Sequence, residues 1–202
     1  MSSDKLIIFV KNEEAGKVKT RLAASEGDNK ALEIYQQLLK YTHAQAQHAE
    51  ADKEVWYSRF KAEEDIWASG GFTKKIQTGN DLGERMSAAF RESFIQPEIQ
   101  RVVLIGSDCA EITTSIIEKA LEKLKNCDLV LGPAEDGGYY LIGMSQYLPN
   151  LFNNIEWSTP SVLKQTLDRA KKEKIQWSLL ATLSDVDTME DWNRLKRQLI
   201  SK

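Results

Sequence analysis

Proline and glycine are scarce, with 4 and 11 residues in a chain of 202, and neither clusters. Nothing therefore reads as a linker, and residues 1–202 are taken as one domain. Cysteine is scarcer still. Cys109 and Cys127 make no CxxC pair, and His43 and His48 are the whole complement of histidine. That excludes a disulfide framework and a Cys/His metal centre, and it suits reduced thiols in a cytoplasm. Long apolar runs are missing too, so no bilayer span is expected. The run in "MSSDKLIIFV" is too short for a signal-peptide core, and the expected location is cytoplasmic. Neither sign of charge dominates. The 27 basic residues face 30 acidic ones, for a net charge of −3. Bulk electrostatic binding to nucleic acid or anionic lipid is therefore not expected. No histidine lies near Cys109 in sequence, and GxxxxGK[ST] does not occur, so neither a Cys–His nucleophile nor a Walker A loop is indicated.

What is present alternates. Apolar strand-like segments at 5–11, 53–59, 74–79, 101–108, 128–134, 139–144 and 177–183 are interleaved with helical patterns. The helices are predicted at 28–49, 64–70, 82–96, 113–125, 160–174 and 189–200. Asp28 or Asn29 would cap the first of them, and Thr113 or Thr114 the fourth. This order predicts an α/β fold: a parallel, doubly wound sheet with helices on both faces. Only 128–144 breaks the alternation, with two strands meeting across a tight turn. Ligands of such sheets bind beyond the carboxyl ends of the strands.

Four loops at those ends carry suitable chemistry. "KNEEAGKVKTRL" (11–22) sets Lys11, Lys17, Lys19 and Arg21 around Gly16, which suits a phosphate holder or a solvated basic loop. "GSDCAE" (106–111) places Asp108 just past the strongest central-strand signal. It could bind Mg²⁺ or Mn²⁺ there, or cap a helix. In "LSDVDTMED" (183–191) Asp185 and Asp187 lie two apart, so an extended chain points both to one side. Asp187 or Thr188 starting the last helix, with Glu190 and Asp191 in its first turn, explains Asp187, Glu190 and Asp191 and leaves Asp185 unexplained. "QTGNDLGERM" (77–86) puts Gly79 and Asp81 at a helix start, as an anion site or a simple cap. Trp157 in "IEWSTP" reads as a stacking platform or a core aromatic. "GPAEDGGYYLIG" (132–143) sets Asp136, Gly137 and Gly138 between two strands, as a hairpin turn, a pocket wall or both.

Together, "FVKNEEAGKVKTRL", "GNDLGERM", "IGSDCAEIT", "LGPAEDGGYYLIG", "IEWSTPSVL" and "LSDVDTMEDW" resemble a bacterial family of GT-A-like transferases that carry a glycosyltransferase label. The family lies in the nucleotide-diphospho-sugar transferase superfamily. A looser similarity runs to 2-phospholactate guanylyltransferase and the molybdenum-cofactor guanylyltransferases. The resemblance spans Phe9 to Trp192. It departs at Glu13 and Ala110, where the family usually has proline, and Ala110 should loosen the loop behind Asp108.

The resemblance implies a GT-A fold, a Rossmann-like three-layer α/β/α sandwich with a mostly parallel sheet, and a metal-dependent transferase. Lys11, Lys19 and Arg21 would face nucleotide phosphates, with Gly79 and Asp81 nearby. Asp108, Asp185 and Asp187 would hold Mg²⁺ or Mn²⁺. Asp108 and Asp136 would be catalytic, and Gly137, Gly138 and Trp157 would line the sugar or acceptor side. Gly137 and Gly138 are expected to keep side chains out of a pocket floor. The expected partners are a nucleotide-sugar or NTP and a small-molecule acceptor, and a homo-oligomer is left open. Glycosyl transfer is the first expectation. Nucleotidyl transfer with release of pyrophosphate, or a nucleotide-binding module without turnover, are its alternatives.

Overall fold

Continuous apolar runs make the central strands, because both of their faces are covered. In β1 (Asp4–Val10), Leu6, Ile8 and Val10 point to one face while Ile7 and Phe9 point to the other. Each set joins a separate core layer. A computed structural model describes residues 2–200; positions 1, 201 and 202, the outer limits of the domain read from sequence, lie outside the described residues.

After β1 come α1 (Thr20–Glu26), α2 (Asp28–Ala46), β2 (Asp52–Tyr57), β3 (Phe72–Ile76) and α3 (Leu82–Phe94). Next are β4 (Arg101–Ile105), α4 (Thr114–Lys123), β5 (Leu129–Pro133) and β6 (Tyr139–Met144). The chain closes with α5 (Val162–Lys172), β7 (Trp177–Leu179) and α6 (Met189–Ile200). The sheet order is β3-β2-β1-β4-β6-β5-β7. β6 runs antiparallel to β4 and β5, and every other pairing is parallel. The break expected at 128–144 is this single reversed strand.

Leu39, Tyr35, Ile117 and Leu121 cover one face of the sheet, and Met86, Phe90, Leu151 and Ala170 cover the other. A third buried cluster lies off the sheet. Leu22 of α1, Ile34 and Leu38 of α2, and Trp192 and Leu195 of α6 close around Ala110 and Val186. Burying a valine side chain contributes about 1.5–3 kcal/mol. That burial pins Asp185 and Asp187, on either side of Val186, at the rim.

Several local expectations change. Residues 20–26, read as part of a basic loop, are helical. α2 is capped by Gly27, and Asp28 is its first residue rather than its cap. The helix expected at 64–70 contracts to one 3₁₀ turn, Ile66–Ala68, started by the Asp65 carboxylate accepting from the Trp67 N–H. The strand expected at 177–183 is regular only over Trp177–Leu179, with Leu183 making an isolated bridge to Ala134. Thr113 does cap α4, accepting from the Ile116 N–H.

Candidate functional site

Three segments meet at the carboxyl rim of β1 and β4. The first is the loop from Lys11 to Lys19. The Tyr35 hydroxyl accepts from the Lys11 N–H at 2.8 Å and donates to the Lys11 carbonyl at 3.1 Å. It also lies 3.2 Å from the Ser107 hydroxyl, which can donate to it. One buried phenol thus ties the β1 loop to the β4 loop. Burial and the nearby Asp108 charge push its pKa well up, so it stays neutral. Asn12 fixes the same loop from the other side. Its Oδ1 accepts from the Arg59 N–H at 3.0 Å and its amide donates to the Phe60 carbonyl at 2.8 Å.

The second segment follows β4. The Val186 N–H donates to the Asp108 carbonyl at 3.1 Å, and Cys109 pairs with Asp185 in an antiparallel bridge. Ala110 is fully buried among the third cluster, so the loop behind Asp108 is packed rather than slack. The third segment is 183–188. Capping of α6 falls to Thr188 and Asp191. Thr188 Oγ1 accepts from the Asp191 N–H while Asp191 Oδ2 accepts from the Thr188 N–H, a reciprocal box. Asp187 is thereby released from capping and turns to the rim.

Lys19 sits where the three segments converge. Its Nζ is 3.1 Å from Asp108 Oδ2 and 3.6 Å from Asp187 Oδ1, and its side chain is 3% exposed. The Asp108 contact is within hydrogen-bond distance but poorly aligned and the Asp187 contact lies beyond it, so charge does most of the holding of this buried ammonium. Burial would depress it, but Asp108 foremost, then Asp187 and Asp185, outweigh burial and hold its pKa above the usual lysine value. Arg21 reaches Asp187 Oδ2 at 2.9 Å from an exposed position. Asp185 is the unbalanced member. Burial, then the Asp108 charge, drive its carboxyl up to about 7; Lys19 opposes this, and Asp136 and Asp187 reinforce it.

A folded-state pKa raised above the unfolded one means that the native state keeps a proton the unfolded chain has released. Stability from Asp185 is therefore full below about pH 4 and is lost as pH rises toward 7. Asp185→Asn should remove this slope. Allowing for solvent screening, it should raise stability at pH 8 by on the order of 2 kcal/mol. Thermal melts at pH 5 and pH 8 check it. Parallel pH dependences in mutant and wild type would contradict the assignment.

The remaining expected site residues fall differently. Lys11 is exposed at the rim. Asp81 is the N-cap of α3, accepting from the Glu84 N–H at 2.8 Å, and Gly79 accepts from Arg85 Nε through its carbonyl. Trp157 is half-buried against Phe152 and against Gly83, where a Cβ would stand 2.4 Å from its Nε1. This group surrounds the start of α3, and among the described residues none of the ion pairs that Lys19 makes is shared with it. Asp136 is exposed, with Oδ1 accepting from the Gly138 N–H at 2.9 Å and Oδ2 unused in that turn. The pocket-floor reading is corrected for Gly137. Gly137 presses on Pro160, and a Cβ there would lie 2.1 Å from the Pro160 carbonyl oxygen. It is a packing point beneath the start of α5. Tyr35 and Asn12 escaped the sequence reading, since a tyrosine on a helix's apolar face reads as core.

The carboxylates of Asp108, Asp185 and Asp187 are the hard oxygen donors that Mg²⁺ or Mn²⁺ favours, and their uneven charge suits a cation. Among the described residues, no three His, Cys, Asp or Glu side chains form a ready cage. The residues fit a divalent ion as a partial ligand set, with Lys19 now lying between two of them.

The chain's similarities to known proteins bear on its family and fold. A family model described as "Uncharacterized protein conserved in bacteria (DUF2064)" matches residues 39–159, more than half of the chain. A crystal structure from Desulfovibrio desulfuricans G20, provisionally named a nucleotide-diphospho-sugar transferase, is 35% identical with a TM-score of 0.91. That match covers 100% of this chain and 90% of the other. The 2-phospho-L-lactate guanylyltransferase of Methanocaldococcus sp. (strain FS406-22) is 28% identical over 133 residues, or 64% of this chain. This chain spans 56% of the length of that relative. A Mycobacterium tuberculosis H37Rv protein solved in complex with manganese shares the fold at 15% identity and a TM-score of 0.53, covering 98% of each chain. The family resemblance and the fold class read from the motifs are borne out. No helix among the described residues is long and apolar enough to cross a membrane.

Proposed function

The chain belongs to the DUF2064 family, and from that premise we propose that it is a transferase moving the sugar of a nucleotide-diphospho-sugar to a small-molecule acceptor with a divalent cation. At the coarser level, the Desulfovibrio structure and the Methanocaldococcus relative are both named as transferases. The observation that carries the reading is the buried Lys19 ammonium set between Asp108 and Asp187, beside Asp185, at the carboxyl rim of the sheet. That rim is where α/β sheets bind nucleotides.

Lys11, Lys19 and Arg21 bind and orient the diphosphate. Asp108 and Asp187, with Asp185 beside them, are the residues that would hold Mg²⁺ or Mn²⁺. The cation supplies charge neutralisation for the departing diphosphate. The bond from the anomeric carbon to the phosphate oxygen breaks, the acceptor hydroxyl oxygen takes its place, and the nucleoside diphosphate leaves. Asp136, exposed and with Oδ2 outside the turn's hydrogen bond, would accept the hydroxyl proton. No protein nucleophile is required.

Nucleotidyl transfer is the second reading. The guanylyltransferase similarity favours it. So does the segment from the end of β1 into α1 that holds Lys11, Lys17, Lys19 and Arg21, whose four cations suit a triphosphate's larger charge. Incubation with Mn²⁺ and a panel of nucleotide-sugars and NTPs separates the two. Free nucleoside diphosphate is the expected product. Pyrophosphate would transfer the assignment to the second reading, and neither product from any donor would remove both.

A further inference from the structure

We propose that Lys19 is a built-in counter-cation that keeps the divalent-ion position closed until a nucleoside phosphate arrives, so that metal and nucleotide bind as one unit. This rests on the transferase reading of the same site. The position of Nζ is the first ground. It lies within 3.6 Å of oxygens on both Asp108 and Asp187, and its side chain is 3% exposed. A divalent ion shared by those two carboxylates and the ammonium would stand in direct repulsion.

The second ground is that the ammonium is incompletely satisfied where it is. Its three donors have two carboxylate oxygens in reach, one at 3.1 Å in poor alignment and one at 3.6 Å, beyond hydrogen-bond distance. A buried ammonium with donors to spare retains a preference for a better partner. Phosphate oxygens would be such a partner. The backbone supplies the third ground. Lys19 has φ 45° and ψ 50°, a left-handed conformation unusual for a side-chain-bearing residue, at the start of α1. Surrounding structure holds the residue in that conformation, with the side chain directed into the acids.

Charge balance gives the direction of the coupling. Asp108, Asp185 and Asp187 supply three negative charges at most, and Lys19 and Arg21 supply two positive ones. A divalent ion added alone overcompensates the cluster and displaces a buried ammonium that has no other partner. A nucleoside phosphate brings further negative charge and takes up Lys19. Each ligand then favours the other, and by linkage the coupling is reciprocal. Ions of this type are commonly held by one or two carboxylates together with substrate phosphates, which fits the lack of a ready cage.

Electron paramagnetic resonance of free Mn²⁺, titrated with the full-length protein, tests this without turnover. Wild type should bind Mn²⁺ weakly alone, and about tenfold or more tightly with one of GDP, UDP, CDP or ADP. Lys19→Met should bind Mn²⁺ alone at least about tenfold tighter than wild type and lose most of the nucleotide effect. Lys19→Gln carries the same expectation should Met at that site fail to fold. Equal affinity of wild type and variants for Mn²⁺ alone, with the wild-type nucleotide effect intact, overturns the role of Lys19 and leaves the transferase reading standing. No Mn²⁺ binding by any of these proteins, with or without nucleotide, overturns both.

Discussion

Asp108→Ala should lower turnover by roughly 10³-fold, the upper range for removing one group that stabilises developing charge. Asp108 follows β4, and its backbone carbonyl accepts from the Val186 N–H, so the substitution leaves the strand and its bridge in place. What goes is the carboxylate nearest to Lys19, at 3.1 Å. The side chain is 41% exposed, enough to face a ligand. Asp108→Asn is the sharper version, because it keeps the shape and loses the charge. Both variants should show unchanged far-ultraviolet circular dichroism while product release in the Mn²⁺ assay collapses. Turnover within threefold of wild type in either variant would remove Asp108 from the catalytic centre. In a nucleotide-binding module without turnover, the same substitutions would leave metal-free nucleotide affinity almost unchanged.

The central strands were legible because burial on both faces forces an unbroken apolar run, as in Leu6–Val10 and Val102–Ile105. The helix at 20–26 was hidden. It is seven residues long, has no side-chain cap, and opens on a left-handed lysine amid charges that read as solvated loop. The acids were visible one by one, but their meeting was not. Asp108 and Asp187 lie far apart in sequence, and what joins them is the burial of Val186 against Ala110 and Trp192. Capping was a fair rival for Asp187. It fails because Thr188 and Asp191 satisfy each other first. Tyr35 was invisible as a rim residue because only its hydroxyl leaves the core. Trp157 kept both its readings in sequence, and the structure spends one of its faces on Gly83.

Gly137→Ala should be the most damaging single methyl in the chain, destabilising the fold by about 3 kcal/mol or more. Two costs combine. Gly137 has φ 88°, a conformation that a Cβ disfavours. The added carbon would also stand 2.1 Å from the Pro160 carbonyl oxygen and 2.7 Å from the Pro160 Cα. Neither atom belongs to a side chain that can rotate away. The backbone there is held as well: the Leu163 N–H donates to the Gly137 carbonyl at 2.9 Å, and the Gly137 N–H donates to Ala134 at 3.1 Å. Relief would require α5 to lift from the β5–β6 turn. Gly138→Ala is the matched control. Its Cβ would meet only Asp136 Oδ1, at 3.2 Å, a carboxylate able to turn aside. That variant should cost under about 1 kcal/mol. By moving Asp136 it should still reduce turnover. Urea midpoints for the two variants separate a tight packing point from an open pocket floor. A Gly137→Ala midpoint close to that of Gly138→Ala would mean that Pro160 does not press on this turn.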